Sequence, residues 1–277
     1  MSLRAVVRKE FLDAVRTNTL VELTLLFASF AGFLAAIQHV PSIFRDGGVT
    51  NTLALLNSMR QPTVFLVPAV GLGLGYAAVA GERERGNLKL ALALPNTRGD
   101  VLVGKFLGRS AVAAVAVLAA YAAVAVVALA TYDSFALDTF AAYTVLTVLY
   151  AAVFVAISTG LSAVTPSRAR SLGISVGLYA LFLLVWDLVL LLLQLAAVGR
   201  ELPESGLPQW IVFVGLWNPS TAFSFAARAV IPEYYEITVF PETTAVYTQE
   251  WVGFAVLAVW TVVPLAVGYR SFTRGDL

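Results

Sequence analysis

The sequence predicts an all-α integral membrane protein with six transmembrane helices, and three observations support that prediction. First, 59% of the 277 residues are hydrophobic and only 13% are charged, with a mean hydropathy of +0.83; soluble domains usually carry about a quarter charged residues. Second, several apolar runs are long enough to cross a bilayer core of roughly 30 Å. Third, runs such as residues 111–130 lack the alternation of barrel strands, so the spans are expected to be helices.

The apolar runs place the spans in one transmembrane domain that covers residues 1–277. Their expected positions are near residues 20–37, 62–81, 110–131, 139–164, 172–198 and 251–269. The first run resembles the apolar part of a signal peptide. However, the mixed-charge segment 1–19 precedes it where a short basic region would be expected, so we predict a retained helix.

Segment 1–19 is itself predicted to be helical. In "SLRAVVRKEFLDAVR" the apolar residues recur at helical spacing and leave most charges on the other side. A basic amphipathic helix beside a membrane span is expected to lie in the interface.

The basic residues predict the orientation of the spans. With the N-terminus inside, most of the 18 Lys and Arg residues fall in cytoplasmic segments; the others are Arg45, Arg60, Arg200 and Arg228. This asymmetry follows the positive-inside rule. We therefore expect a multi-pass protein of the cell membrane with both termini in the cytoplasm. A seventh apolar stretch, residues 210–230, is interrupted by Asn218-Pro219. We expect it to form interfacial or re-entrant helices within the outer segment 199–250.

Residues 99–105, "GDVLVGK", match the G-x-x-x-x-G-K pattern of a phosphate-binding loop. That loop also needs Ser or Thr after the lysine to bind magnesium, and residue 106 is Phe. We therefore interpret the match as chance and predict that the chain itself hydrolyses no nucleotide. The sequence has no Cys and a single His, His39, so no metal site or other cofactor is expected.

Residues 82–109 form the most basic predicted cytoplasmic loop. Within "GERERGNLKLALALPNTRGDVLVGKFLGR" (81–109), Leu88 and Leu92 form an apolar stripe to which Ala91 and Leu94 are candidate additions, and Pro95 stops the helix. A short amphipathic helix on the cytoplasmic side either rests on the membrane or docks in a groove of a partner protein.

The pattern E-x-E-x-G-x-L-x-x-x-L-x-x-P, followed by a Gly-Lys pair, resembles the loop after the second span of ABC-2 type transporter permeases. "VVRKEFLDAVR" is similar to the elbow helix of that family, and "GLWNPSTAF" agrees with its outer segment before the last span. The resemblance covers the full chain and is most specific in the loop. Asn87 departs from the Thr or Ser usual in the family, although each of these residues can cap a helix.

The resemblance implies a membrane-spanning permease subunit of an ATP-driven transporter, expected to be an exporter. A separate ABC ATPase subunit would bind ATP and Mg and dock on the loop between spans two and three, whose short helix would act as the coupling helix. A second permease chain, identical or paralogous, and membrane lipid are the other expected partners, and no nucleic acid is expected. The ATPase-coupling residues implied are Glu82, Arg83, Glu84, Arg85, Gly86, Leu88, Lys89, Leu92, Leu94 and Pro95, with the leucines in the ATPase groove and Arg83, Arg85 and Lys89 at its rim.

Asp187 lies near the middle of the fifth predicted span. A carboxylate there costs roughly 2.5–3.5 kcal/mol on insertion scales, so it should face a cavity or a polar partner. It is either a pathway or gating residue or a structural hydrogen-bonding group. Two glycine pairs at four-residue spacing, Gly71/Gly75 and Gly173/Gly177, predict close helix packing.

Three other functional classes compete with the permease hypothesis. An ion-gradient-driven secondary transporter usually shows internal repeats and several intramembrane charges, and this sequence has no convincing repeat. An intramembrane enzyme needs a metal cluster, paired aspartates or a nucleophile with its base. A passive membrane scaffold is the third.

Overall fold

The computed structural model describes residues 3–37, 50–86, 97–199, 207–237 and 245–274, and these residues form helices joined by turns. A π-helical turn occupies Leu181–Val185 within the helical stretch Arg168–Val198, and 3-10 turns occupy Pro232–Ile237 and Val246–Thr248. The α-helices are α1 (Leu3–Arg16), α2 (Thr19–Ile37), α3 (Thr52–Gly75), α4 (Ala80–Glu84), α5 (Arg98–Thr131), α6 (Leu137–Val164), α7 (Arg168–Ala180), α8 (Trp186–Val198), α9 (Gln209–Leu216), α10 (Pro219–Val230) and α11 (Val252–Arg274).

Five helical stretches among the described residues are long and apolar enough to cross a membrane. This finding confirms the all-helical membrane fold. The first predicted span, residues 20–37, corresponds to α2, of which Thr19–Phe30 qualifies as a shorter apolar helix. A count of six spans therefore stays a prediction. The five stretches are Thr52–Glu84, Arg98–Thr131, Leu137–Val164, Arg168–Val198 and Val252–Arg274.

Helix α6 forms the centre of the bundle and packs along α3, α5 and α11. Its large side chains Tyr143, Tyr150 and Phe154 are fully buried. The candidate span Arg168–Val198 is far less buried than α6, since only 6% of its apolar window is buried within the chain. Most of that span is therefore left to contact lipid or another chain.

The glycine pair of α3 explains how closely α3 approaches α6. A Cβ atom on Gly71 would lie 2.6 Å from the Cβ of Phe154, and one on Gly75 would overlap Ser158. Gly173 and Gly177 differ, since a Cβ there would meet no described atom within 4 Å. Only the first pair packs helices together within the described part of the chain.

Helix α3 begins at Thr52, ahead of the span start expected near residue 62. The side chain of Asn51 caps it by accepting a bond from the backbone N–H of Ala54 at 2.8 Å. The Thr52 hydroxyl accepts a bond from Ala136 N at 2.7 Å, which fixes this end against the connection between α5 and α6. Tertiary contacts and a cap, rather than apolarity, set this boundary. Arg60 consequently lies within a helix.

The apolar stretch 210–230 forms two helices. Helix α9 ends at Leu216, and Asn218 caps α10 by accepting a bond from Ser220 N at 2.9 Å. Pro219 occupies the first turn of α10, where a missing N–H costs nothing. Helix α10 packs mainly on α11.

Candidate functional site

The predicted coupling loop begins and ends at a cluster of buried charges. The Lys105 ammonium on α5 contacts the Glu10 carboxylate of α1 and the Glu82 carboxylate of α4, each at 2.7 Å. The Arg109 Nε contacts the other Glu10 oxygen at 2.9 Å. Lys105 is only 1% exposed. We call Glu10, Glu82, Lys105 and Arg109 the buried ion cluster.

Two glycines allow α1 to reach this cluster. Gly104 and Gly108 lie one turn apart on α5 and so share a face of that helix. A Cβ on Gly104 would lie 2.7 Å from the Cβ of Val6, and one on Gly108 would lie 2.6 Å from the Cβ of Glu10. The motif "GKFLGR" (104–109) thus pairs each small residue with a cation, so that α1 approaches closely where the cations meet its carboxylate.

The electrostatics of the cluster depend on complete pairing. Burial raises the pKa of the Glu10 carboxyl, but the positive charges of Arg109 and Lys105 outweigh burial and lower the pKa below its ordinary value. Lys105 and Arg109 carry the positive charge within the cluster, the half-exposed Lys9 adds a contact to Glu82 at 3.3 Å, and Arg109 also donates to the Leu74 carbonyl. Removing one member of a buried ion pair typically costs about 3–5 kcal/mol, because the other charge is left uncompensated.

The "ERER" segment (82–85) contacts α1, α5, the C-terminal end of α6 and the start of α7. While Glu82 joins the buried ion cluster, Arg83 Nη1 donates to the Thr165 carbonyl at 2.7 Å, at the C-terminal end of α6. The Glu84 carboxylate accepts a bond from Arg168 N at 2.8 Å, at the start of α7. A cation at the C-terminal end of α6 and an anion at the N-terminal end of α7 both interact favourably with the helix dipoles. The exposed Arg85 donates to Gly81 O within its own turn.

The structure therefore describes half of the predicted coupling residues. Glu82 is buried, Arg83 is half-buried with both terminal nitrogens bonded to this chain, and Glu84, Arg85 and Gly86 are exposed. Their contact with an ATPase stays a prediction, and the bonds of Arg83 favour a structural role for that residue. The others lie outside the described residues: Leu88, Lys89, Leu92, Leu94 and Pro95.

Sequence reasoning missed Glu10, Lys105 and Arg109 as members of one site. The resemblance to a phosphate-binding loop directed attention to Gly99 and Lys105, but residues 98–131 form one continuous helix and Lys105 is paired with carboxylates. A usable signal was present in the repeat Gly-Lys-x-x-Gly-Arg, which places two cations on neighbouring turns. To use this signal, one must also know that Glu10 lies opposite the two cations in the folded protein.

Asp187 lies apart from the cluster, as the second residue of α8 after the π-helical turn. It is exposed in the single chain and lines a cavity of about 210 Å³ between α3, α8 and α10. Arg60, which the sequence analysis placed outside the second span, lines the same cavity. The role of Asp187 stays a prediction, but the structure supplies a charged neighbour that the sequence did not.

The apolar helices and the ion-paired loop between two of them define a multi-pass helical membrane protein. Residues 4–277 match the family model described as "ABC-2 family transporter protein". This chain belongs to the ABC-2 transporter family.

Two curated relatives agree with this assignment. The chain is 30% identical over 279 residues to "Probable ABC transporter permease protein NosY" of Pseudomonas aeruginosa, covering 97% of each chain. It is 32% identical over 222 residues to the protein of the same name from Stutzerimonas stutzeri, covering 79% of this chain and 78% of that one. Membership of this permease family implies an ABC ATPase partner and that this chain is not itself the ATPase.

Proposed function

We propose that this chain is the membrane subunit of an ATP-driven exporter in the cell membrane, with both termini in the cytoplasm. A separate ABC ATPase docks on loop 82–109 and carries the ATP and Mg²⁺, while this chain carries no cofactor. A second permease chain, identical or paralogous, completes the pathway. Family membership supports the ATPase partner, and the distribution of basic residues supports the orientation.

The observation that carries the proposal is the contact between Glu82 and Lys105. These residues flank the loop that contains the predicted coupling helix, so the contact joins the two ends of the loop. A loop closed at its base by a buried ion pair moves with the helices that carry the pair. Displacement of the coupling helix by the ATPase would therefore move α4 and α5 together.

Contacts around the loop extend this coupling to other helices. Glu10 joins α1 to the same ammonium, Arg83 joins the end of α6, and Glu84 joins the start of α7. A displacement of the loop would thus reach α1, α6 and α7, in addition to α4 and α5, through a continuous set of hydrogen bonds and ion pairs. Such a set is what a rigid-body change between inward-open and outward-open states requires.

The docking step is tested by the double variant Leu88→Asp with Leu92→Asp. Two carboxylates in an apolar groove are uncompensated, so we expect the ATPase subunit to be lost on co-purification. The matched control adds the same two charges on the opposite side, with Leu137→Asp and Val246→Asp, both at exposed positions. Full recovery of the ATPase with the loop variant would refute docking at this loop. Loss of the ATPase with both double variants would indicate misfolding. Thermal unfolding of each purified variant shows whether that variant is folded.

A further inference from the structure

The fifth span is irregular where it meets the break between α9 and α10. The side-chain amide of Asn218 donates to the Phe182 carbonyl at 2.6 Å, inside the π-helical turn. Through its oxygen the same side chain caps α10. One residue thus joins two irregular points of the backbone, and π-helical turns occur frequently at functional sites.

A polar cavity of about 210 Å³ lies beside this junction. Its charged groups are the guanidinium of Arg60 on α3 and the carboxylate of Asp187 on α8. The Nε atom of Arg60 is buried and has no hydrogen-bond partner in the described part of the chain. An arginine within a membrane helix is costly unless an anion or polar group compensates it. The other polar lining residues are Gln61, Asn218, Ser220, Thr221 and Ser224.

A second cavity of about 330 Å³ adjoins the first and has the opposite character. The two cavities share Asp187 and Thr221 in their walls. Most of the other lining is aliphatic or aromatic and comes from α8, α9 and α10, including Leu190, Ile211 and Phe225. A charged chamber therefore continues into an apolar one.

We propose that the paired cavities bind an amphiphile with a zwitterionic head group. Its anionic group is placed at Arg60, its ammonium group at Asp187, and its apolar tail in the second cavity. One cation and one anion in the wall match a ligand that carries both charges, whereas an anionic lipid would leave Asp187 without a counter-charge. The inference rests on the proposed function only in taking this amphiphile as the exported cargo.

Binding is tested on the purified full chain in detergent, with short-chain phosphatidylethanolamine as the probe and calorimetry as the measurement. Phosphatidylglycerol with the same chains supplies the anion without the ammonium, and free phosphoethanolamine supplies the head group without the tails. We expect each of these to bind at least about tenfold more weakly, since one group of the site is left unmatched. Equal affinity for the two lipids would overturn the assignment of Asp187, and equal affinity for phosphoethanolamine would overturn that of the apolar cavity.

Variants identify the residues. Arg60→Gln should weaken both lipids by about tenfold or more, whereas Arg60→Lys keeps the positive charge and most of the affinity. Asp187→Asn should remove the preference for phosphatidylethanolamine, so that both lipids bind alike. Leu190→Trp, which fills the apolar cavity, should weaken the lipids and leave phosphoethanolamine unchanged. Arg16→Gln, which removes a charge from the end of α1, is the control.

Unchanged lipid binding by Arg60→Gln would refute the site. Thermal unfolding shows which variants are folded, and if Arg60→Gln is unstable, Leu190→Trp and Asp187→Asn decide the question by their ligand preference alone. ATPase co-purification is measured on the same variants. Loss of lipid binding with normal ATPase recovery leaves the coupling proposal intact, while the reverse result leaves the cavity assignment intact.

Discussion

The ammonium of Lys105 contacts the carboxylate of Glu82 at 2.7 Å, across the loop that separates α4 from α5. The same ammonium contacts Glu10 at 2.7 Å, so one lysine joins three helices. Both contacts are buried, where the charges are weakly screened and depend on each other.

Replacing Lys105 with Met should destabilise the protein by about 3–5 kcal/mol, because Glu10 and Glu82 lose a buried counter-charge. The measurement is chemical unfolding in detergent. Lys9→Met is the matched control, since Lys9 also contacts Glu82, at 3.3 Å, but its side chain is 50% exposed. Exposed pairs contribute about 0–1 kcal/mol, so the control should change little. Similar losses for both variants would contradict the burial argument.

Acid should weaken the protein through Glu10. The pKa of this carboxyl is raised by burial but lowered more by Arg109 and Lys105, so it lies below the ordinary value of 4.5. As the pH falls below 4.5, the unfolded chain takes up the proton first, and stability falls until the folded pKa is passed. Above pH 4.5 the contribution is complete. The unfolding temperature of the wild type should therefore fall more steeply with acid than that of Glu10→Gln, and equal slopes would refute this prediction.

Gly108→Ala should cost about 1–3 kcal/mol, because its Cβ would lie 2.6 Å from the Cβ of Glu10 and 2.9 Å from the Val7 carbonyl. Gly73→Ala tests the same exchange where nothing described lies within 4 Å. There the higher helix propensity of Ala should leave stability unchanged or raise it by up to about 1 kcal/mol. Thermal unfolding of both variants measures the difference. An unchanged Gly108→Ala protein would show that α1 does not pack on this face.

Substitutions of Arg83 and of Arg85 should have different effects on stability and on ATPase recovery. Arg83→Gln removes bonds to the Ala163 and Thr165 carbonyls at the end of α6, so we expect a loss of about 1–2 kcal/mol in stability. Arg85→Gln removes an exposed side chain whose bond among the described residues lies within its own turn, and stability should stay within about 0.5 kcal/mol. If Arg85 contacts the ATPase, its variant lowers ATPase recovery without lowering the unfolding temperature. A loss of stability in Arg85→Gln and none in Arg83→Gln would reverse the assignment.

The fold class and family could be predicted from the sequence because the signals for both lie in contiguous segments of the chain. Apolar runs are continuous along the chain, and the loop pattern from Glu82 to Pro95 is a single segment. Helix α3 shows where local reading stops. Its start at Thr52 depends on a bond to Ala136, which lies beyond the next span in the sequence. Arg60 was misplaced for that reason.

By itself, the amino-acid sequence determined that this protein is a helical, multi-pass membrane protein of the ABC-2 family, because hydrophobic length and loop motif need only neighbouring residues. The tertiary structure decided which charges meet. Glu10, Glu82 and Lys105 come from three separated segments, and so do Arg60, Asp187 and Asn218. Their proximity follows from helix packing at glycines and from breaks in the helices, and no spacing along the chain encodes it.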